Sequence, residues 1–166
     1  MSKAPHLLVI QSPYYKDIAA ELYRGAKLAL DAASATHDVV SVPGVLEIPA
    51  ALTMTMDSEL DGLGILGDND NFDEDGNDGP ALYDGYIVLG CVIRGETSHY
   101  DIVAGESARA LMDLSIDYSL ALGNGIQTVE NETQAWARAN VDDKNKGGGA
   151  AEAALAMIAL RRKLKA

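Results

Sequence analysis

The stretch YIVLGCVIRGETSHYDIVAGESARAL, residues 86–111, decides the fold. Its first part, 86–93, is apolar almost throughout, which is typical of a strand buried on both faces of a sheet. Gly95 then permits a tight turn, and apolar residues recur at helical spacing after it. The stretch therefore predicts a strand, a turn and a helix from about His99 to Leu122, the repeating unit of an α/β domain.

The same alternation continues on both sides of this stretch. Short apolar segments at 7–10, 39–42 and 125–129 predict three further strands. Helical spacing predicts helices at 46–56, 132–139 and 149–164, and a first helix with its apolar face on Ile18, Leu22, Ala26, Ala29 and Ala33. The order βαβαβαβαα favours a four-stranded parallel sheet with helices on both faces, a three-layer α/β domain.

Composition narrows the class of protein. The 166 residues are 48% apolar with a mean hydropathy of −0.02, so we expect one globular domain over 1–166. We expect no membrane partner and a cytoplasmic location, because no run reaches the roughly 20 apolar residues of a membrane span and the N-terminus does not resemble a signal peptide. The single cysteine, Cys91, excludes an internal disulfide and agrees with a reducing compartment.

The net charge of −12 comes from one segment. Ten carboxylates and no Lys or Arg lie between Asp57 and Asp84, and the other 15 acids nearly balance the 13 bases. Residues 57–83 are also rich in Gly and Asn, which predicts an acidic loop insertion before the third strand. With no basic stripe to neutralise phosphates, we expect no nucleic-acid partner.

Two smaller charged features have a structural and a functional interpretation. Residues 71–76, NFDEDG, copy the first half of a calcium loop, but Leu82 stands where such a loop needs a glutamate. We favour a solvated insertion and keep a calcium-responsive module as an alternative. The basic residues at 161–165 are interpreted as complementing the dipole of the last helix.

Ligands of parallel α/β sheets bind beyond the carboxyl ends of the strands, where four segments qualify. The turn after the third strand is the most informative of them. Ser98 and Asp101 match a capping box, and free backbone N–H groups near Gly95, Glu96 and Thr97 would suit a phosphate or carboxylate. His99 would lie in the first helical turn, where it is either a neutral proton-transfer base or a surface or capping histidine. The four segments are 12–15, 42–49, 93–100 and 124–128.

Known phosphate-loop, dinucleotide, serine-hydrolase and zinc-protease motifs are absent. The four segments together resemble the lumazine synthase family of riboflavin biosynthesis. The specific matches are VPGVLEIPAAL at 42–52, LGCVIRGETSHYDIVAGESARAL at 89–111, NGIQTVENETQAWARA at 124–139 and NKG at 145–147.

The resemblance implies a flavodoxin-like domain and a transferase that uses no metal or cofactor. Members condense 5-amino-6-(D-ribitylamino)uracil with 3,4-dihydroxy-2-butanone 4-phosphate, giving 6,7-dimethyl-8-ribityllumazine, phosphate and water. His99 falls on the proton-transfer histidine of the family. The resemblance further implies that the ribitylaminouracil contacts Tyr14, Val45, Leu46, Glu47, Cys91, Val92, Ile93 and Asn124, and that the butanone phosphate contacts Glu96, Thr97, Arg138 and Lys146.

The family assembles as pentamers, some of which close into hollow icosahedral cages. The resemblance implies that Asn124 and Arg138 reach the pocket of the adjoining subunit, and the short connection from Arg138 to Lys146 favours the cage. Leu46 and Asn124 stand where some members carry aromatic residues, which predicts a more polar pyrimidine pocket. The alternative function is a non-catalytic relative that binds flavin or lumazine or serves mainly as a cage-forming shell.

Overall fold

The computed structural model describes residues 3–60 and 82–165 of the chain. Within these ranges the order of elements is the expected βαβαβαβαα. The elements are β1 (His6–Gln11), α1 (Lys16–Ala32), β2 (Thr36–Ser41), α2 (Glu47–Leu60), β3 (Gly85–Ile93), α3 (His99–Asp117), β4 (Leu122–Val129), α4 (Glu132–Ala139) and α5 (Lys146–Lys165).

The four strands form one parallel sheet in the order β2-β1-β3-β4. This is the flavodoxin-like order, in which the chain runs outward from β1 in one direction and returns to build the other half. β3 is buried along nearly its whole length, as its apolar sequence predicts. β2 is an edge strand and is only half-buried, so its prediction as an apolar, fully covered strand was wrong.

Alternate strand residues face two separate cores, which makes the domain three-layered as predicted. Leu7 and Val9 of β1 pack with Ile87 and Leu89 of β3 under α1, α4 and α5. Their neighbours in sequence face the other way and form the second core with α2 and α3, through residues that include Leu8, Ile10, Val88, Ile48 and Leu111. The period of two in the strands places every second side chain on the same layer.

Two helix boundaries differ from the prediction. α3 ends at Asp117 and not near Leu122, because Ser119 takes a left-handed conformation (φ 52°) and the N–H of Leu120 donates to the carbonyl of Ser115. This is a Schellman ending, usually marked by glycine. α5 begins at Lys146, three residues before the predicted start. Among the helices of the described ranges, none is long and apolar enough to cross a membrane.

The ends of the expected acidic insertion are more ordered than predicted. Residues 57–60 continue α2, so the helix extends past the predicted end at Met56. Tyr83 is buried, stacks on His6 and donates its hydroxyl to the carboxylate of Asp38 at 3.0 Å. The rest of the insertion, with the calcium-like half-loop at 71–76, lies outside the described residues.

The basic end of α5 has specific partners beyond its helix dipole. Arg161 donates to the carbonyl of Asp84. Arg162 donates to the carbonyl of Lys3 at 3.0 Å and to the carboxylate of Asp84 at 3.2 Å. These contacts fasten α5 to the amino ends of β1 and β3.

Candidate active site

A cleft of about 400 Å³ opens at the carboxyl ends of the strands. It lies beyond the ends of β1 and β3, where the strand order reverses direction. Open α/β sheets bind their ligands at this point. Segments after β1 and β2, the last residues of β3 and the first turns of α3 build its walls. The lining residues are Tyr14, Tyr15, Gly44, Val45, Leu46, Glu47, Cys91, Val92, Ile93, Gly95, Thr97, His99, Tyr100 and Val103.

Most of the residues predicted to contact substrates share this cleft. Tyr14, Val45, Leu46, Glu47, Cys91, Val92, Ile93, Thr97 and His99 all line it. Glu96 lies in the same turn, between the lining residues Gly95 and Thr97, but is not itself part of the wall. Residues from three of the four predicted segments, 12–15, 42–49 and 93–100, thus meet at one place together with the end of β3, whereas no residue of 124–128 lines the cleft.

Asn124, Arg138 and Lys146 do not line the cleft of their own chain. Asn124 is exposed on the edge strand β4, where its Oδ1 accepts from the N–H of Ile126 at 2.9 Å. Arg138 lies at the end of α4 and donates to the carbonyl of Gln134 at 3.0 Å, while Lys146 is the exposed first residue of α5. Within one chain, these three residues belong to other surfaces.

The wall of the cleft combines an exposed aromatic ring with a buried thiol. Tyr14 is 72% exposed and meets Tyr15 edge to face, with ring centroids 5.1 Å apart. An open aromatic face of this kind suits a planar heterocycle. Cys91 is 6% exposed, and burial raises the pKa of its thiol to about 11.

Tyr15 is also held in its neutral form. Burial raises the pKa of its phenol, and the neighbouring Tyr14 and Cys91 add to the shift. Neither the phenol nor the thiol is therefore ionised near neutral pH. The carboxylate that lines the cleft is that of Glu47, in the first turn of α2 beside Gly44.

The turn between β3 and α3 presents unbonded backbone donors. In the part of the chain that the structure describes, the N–H groups of Gly95, Glu96 and Thr97 have no hydrogen-bond acceptor. They lie at the amino end of the 19-residue helix α3, whose dipole favours an anion. This agrees with the predicted anion site.

The predicted capping box is wrong. The side chain of Ser98 makes no capping hydrogen bond, and the hydroxyl of Thr97 accepts from the N–H of His99 at 3.4 Å instead. Asp101 does not reach back to Ser98, because its carboxylate is bonded to the guanidinium of Arg94. A charge-assisted, two-pronged contact is stronger than a bond to a backbone N–H.

Four lining residues were not named individually as site residues: Tyr15, Gly44, Tyr100 and Val103, of which the first three lie inside the predicted segments. Val103 lies four residues after His99 and so shares its face of α3, a relation that the helical period could have revealed. Tyr15 directly follows Tyr14 in the same segment. Tyr100 has no such signal, because its ring is held by Arg94 through a contact that only the fold creates.

Comparison with known proteins agrees with this geometry. The model of the family described as 6,7-dimethyl-8-ribityllumazine synthase matches residues 4–68 and 77–162, and it leaves 69–76, inside the expected insertion, unmatched.

Curated relatives match over nearly their whole length. The 6,7-dimethyl-8-ribityllumazine synthase of Agrobacterium fabrum (strain C58) is 54% identical, over 99% of both chains. The 6,7-dimethyl-8-ribityllumazine synthase 1 of Rhizobium meliloti (strain 1021) is 53% identical over 99% of this chain and 96% of its own, and the synthase of Bartonella tribocorum is 50% identical over 98% and 94%. The chain therefore belongs to the 6,7-dimethyl-8-ribityllumazine synthase family.

Proposed function

We propose that the cleft condenses 5-amino-6-(D-ribitylamino)uracil with 3,4-dihydroxy-2-butanone 4-phosphate, as a transferase of riboflavin biosynthesis. The products are 6,7-dimethyl-8-ribityllumazine, phosphate and two waters. The observation that carries the proposal is the convergence of nine substrate-contacting residues, predicted from sequence, on one cleft of a family member.

The pyrimidine occupies the side of the cleft formed by β3 and the segments after β1 and β2. Its ring stacks on Tyr14, whose open face supports this role. Cys91, Val92 and Ile93 contact the heterocycle from the end of β3. Val45, Leu46 and Glu47 hold the ribityl chain, and the carboxylate of Glu47 accepts hydrogen bonds from its hydroxyls.

The butanone phosphate binds at the turn formed by residues 95–97. The free N–H groups of this turn and the amino end of α3 supply donors and a favourable dipole. Glu96 and Thr97 belong to the turn. Arg138 supplies a guanidinium suited to two-pronged phosphate binding, and Lys146 adds a second cation.

The reaction proceeds by proton transfers between bound substrates. The 5-amino group attacks the ketone and loses water to form an imine, phosphate then leaves, and the ribitylamino nitrogen closes the ring with loss of the second water. His99 moves protons during elimination and ring closure. No protein nucleophile is required, which is compatible with the neutral thiol of Cys91 and phenol of Tyr15. Much of the rate then comes from holding two substrates together.

We further propose that the chain, as one domain, assembles into cytoplasmic pentamers with shared active sites. The position of Asn124, Arg138 and Lys146 outside the cleft of their own chain supports sharing, because a neighbour can supply them. Closure of pentamers into a hollow icosahedral cage is the expected higher assembly, and a monomer is expected to be inactive.

The decisive experiment mixes purified protein with both substrates and follows lumazine absorbance, with the uncatalysed reaction subtracted. Saturable acceleration is the expected result. An unaccelerated reaction, with lumazine or flavin still bound tightly, would establish the non-catalytic alternative instead.

His99→Ala tests the proton-transfer role. We expect kcat to fall roughly a hundredfold, the low end of what general acid–base catalysis contributes, while both KM values stay near wild type. A variant that matches wild type in rate across the pH range would contradict this role.

A further inference from the structure

Arg94 occupies the point where the chain leaves the sheet for the cleft. It directly follows β3, and its backbone N–H donates to the carbonyl of Val129 at 2.9 Å, which extends the pairing of β3 with β4 by one bond. Residues 95–98 then form the turn, and α3 begins at His99. Arg94, the residue that precedes this turn, is thus anchored to the sheet.

The guanidinium of Arg94 reaches over the turn to the far side. Its Nη1 and Nη2 donate to the two oxygens of Asp101 at 3.3 and 3.2 Å. Its central carbon lies 4.0 Å from the centroid of the Tyr100 ring, a cation–π distance. One side chain therefore contacts both residues that follow His99.

The third guanidinium contact leads to the segment between β4 and α4. Nε of Arg94 donates to Glu130 at 3.0 Å, and the N–H of Glu130 donates to the side chain of Gln134 at 3.0 Å. Gln134 in turn accepts, through its carbonyl, the bond from Arg138. Arg94 and Arg138 are thus linked through Glu130 and Gln134, by hydrogen bonds that use the side chain and the backbone of each of these two residues.

The turn itself has few other restraints. In the described ranges its amides at 95–97 have no acceptor, and its one side-chain bond is the long contact from His99 to Thr97. The positions of His99 and Tyr100, which both line the cleft, then depend on the contacts at the two ends of the turn. Arg94 contributes to both ends, through its backbone N–H and its guanidinium. At the far end, the carbonyl of Ser98 also accepts from the N–H groups of Asp101 and Ile102, and Tyr100 packs against the second core.

We infer that Arg94 is a positioning residue that holds His99 and Tyr100 in their working geometry by clamping the turn between β3 and α3. The inference rests on the proposed function, since it assigns Arg94 no contact with substrate. Each ion pair is partly exposed and weakly stabilising by itself, so the role is orientation and not stability. The planar fork of arginine suits this role, because it fixes direction as well as charge.

A double-mutant cycle with His99 tests the inference. Arg94→Met is made in wild type and in His99→Ala, and kcat and both KM values are measured for all four proteins. We expect Arg94→Met to lower kcat about tenfold in wild type, as misplacement of a catalytic group does, and by less than twofold in His99→Ala. A merely structural role would lower kcat by the same factor in both backgrounds.

Two further variants complete the design. Arg109→Met is the matched control, because Arg109 also makes two exposed ion pairs, with Glu106 and Asp113, but along α3 itself and away from the turn. It is expected to leave kcat within twofold of wild type. Arg94→Lys keeps the charge without the fork, and we expect it to retain most of the defect. If Arg94→Met fails to assemble, Arg94→Lys replaces it in the cycle.

These measurements distinguish failure of the positioning role of Arg94 from failure of the proton-transfer role of His99. If His99→Ala alone is as fast as wild type, the proton-transfer role is wrong and the inference falls with it. If His99→Ala is slow and substitution of Arg94 slows both backgrounds equally, the inference alone is overturned. Full activity of Arg94→Lys would overturn it too, because the geometry of the fork would then be unnecessary.

Discussion

Cys91 carries a side chain that is nucleophilic as a thiolate, and its surroundings keep it in the neutral form. It is the sole cysteine of the chain and lines the cleft beside the proposed substrates. Burial raises the pKa of its thiol to about 11, so the group that could act as a nucleophile, the thiolate, is scarce at neutral pH. At the scale of single residues, burial thus determines whether this side chain can act as a nucleophile.

The titration of Cys91 can be measured directly. Alkylation by iodoacetamide follows the thiolate, and its rate is expected to rise with pH around a midpoint near 11 in the folded protein. In urea the same cysteine should titrate near its ordinary pKa of 9.0. A folded-state midpoint at or below 9 would show that burial does not control this thiol.

Individual site residues were predictable where their role is local. Tyr14, Glu47 and His99 follow the carboxyl ends of predicted strands. In a parallel sheet these ends lie at the same edge, so the three residues are expected close together. Tyr100 and Arg94 were not recognised, because their contact joins a loop to a helix and has no fixed spacing in sequence. Asp101 was recognised with the wrong partner for the same reason.

At the scale of elements, a run of glycines explains an error in the predicted start of α5. The run Gly147-Gly148-Gly149 resembles a loop, so the sequence predicts that α5 starts only at its last residue, Gly149. In the structure the run is helical, and its glycines allow close packing on α1. Gly147 lies against the backbone of Leu22 in that helix. Close approach of two helices needs a missing side chain, and a single sequence does not reveal the partner.

Substitution of these glycines gives a matched pair. A Cβ at Gly147 would lie 1.9 Å from the carbonyl oxygen of Leu22, whereas a Cβ at Gly149 meets nothing within 4 Å. We expect Gly147→Ala to lower the free energy of unfolding by about 2–4 kcal/mol through overpacking, and Gly149→Ala to raise it by up to about 1 kcal/mol. Urea unfolding of both variants measures the difference. Equal effects would mean that the contact between α1 and α5 is not tight.

The ends of helices were the least predictable boundaries. Ser34 and Ser119 both occupy the left-handed position after a helix, with φ of 54° and 52°. Glycine at this position is the usual signal, and serine gives none. β1 and β3 were located to within one residue, because they are buried and their apolar runs reflect that burial directly. β2 and β4 each begin three residues before the predicted start.

At the scale of the whole molecule, three of the predicted site residues lie outside the cleft of their own chain: Asn124, Arg138 and Lys146. The sheet order and the three layers follow from alternating patterns within a single sequence. The proposed relation of Arg138 to the cleft does not, because it involves a neighbouring copy of the chain. Sequence reasoning could supply that relation only through the family resemblance.

Mixing two variants of low activity tests whether sites are shared. His99→Ala and Arg138→Ala chains, refolded together in equal amounts, should form some sites with an intact His99 from one chain and an intact Arg138 from the next. In a closed ring with random mixing, about a quarter of the sites are of this kind, and activity should recover to about that fraction.

Lumazine formation by the mixture, compared with each variant refolded alone, gives the answer. Recovery to about a quarter of wild-type activity would support sites shared between neighbours. Activity no greater than the average of the two variants would place His99 and Arg138 at the same site of a single chain.

The hydrogen bond between Arg162 and the carbonyl of Lys3 has a practical consequence. It brings the two ends of the described chain together at the amino ends of the strands, and the cleft lies at the opposite edge of the sheet. A short linker could therefore join the two ends into a closed loop, and new termini could be opened elsewhere on the surface. A fused protein at either end would likewise sit on the side of the domain away from the substrates.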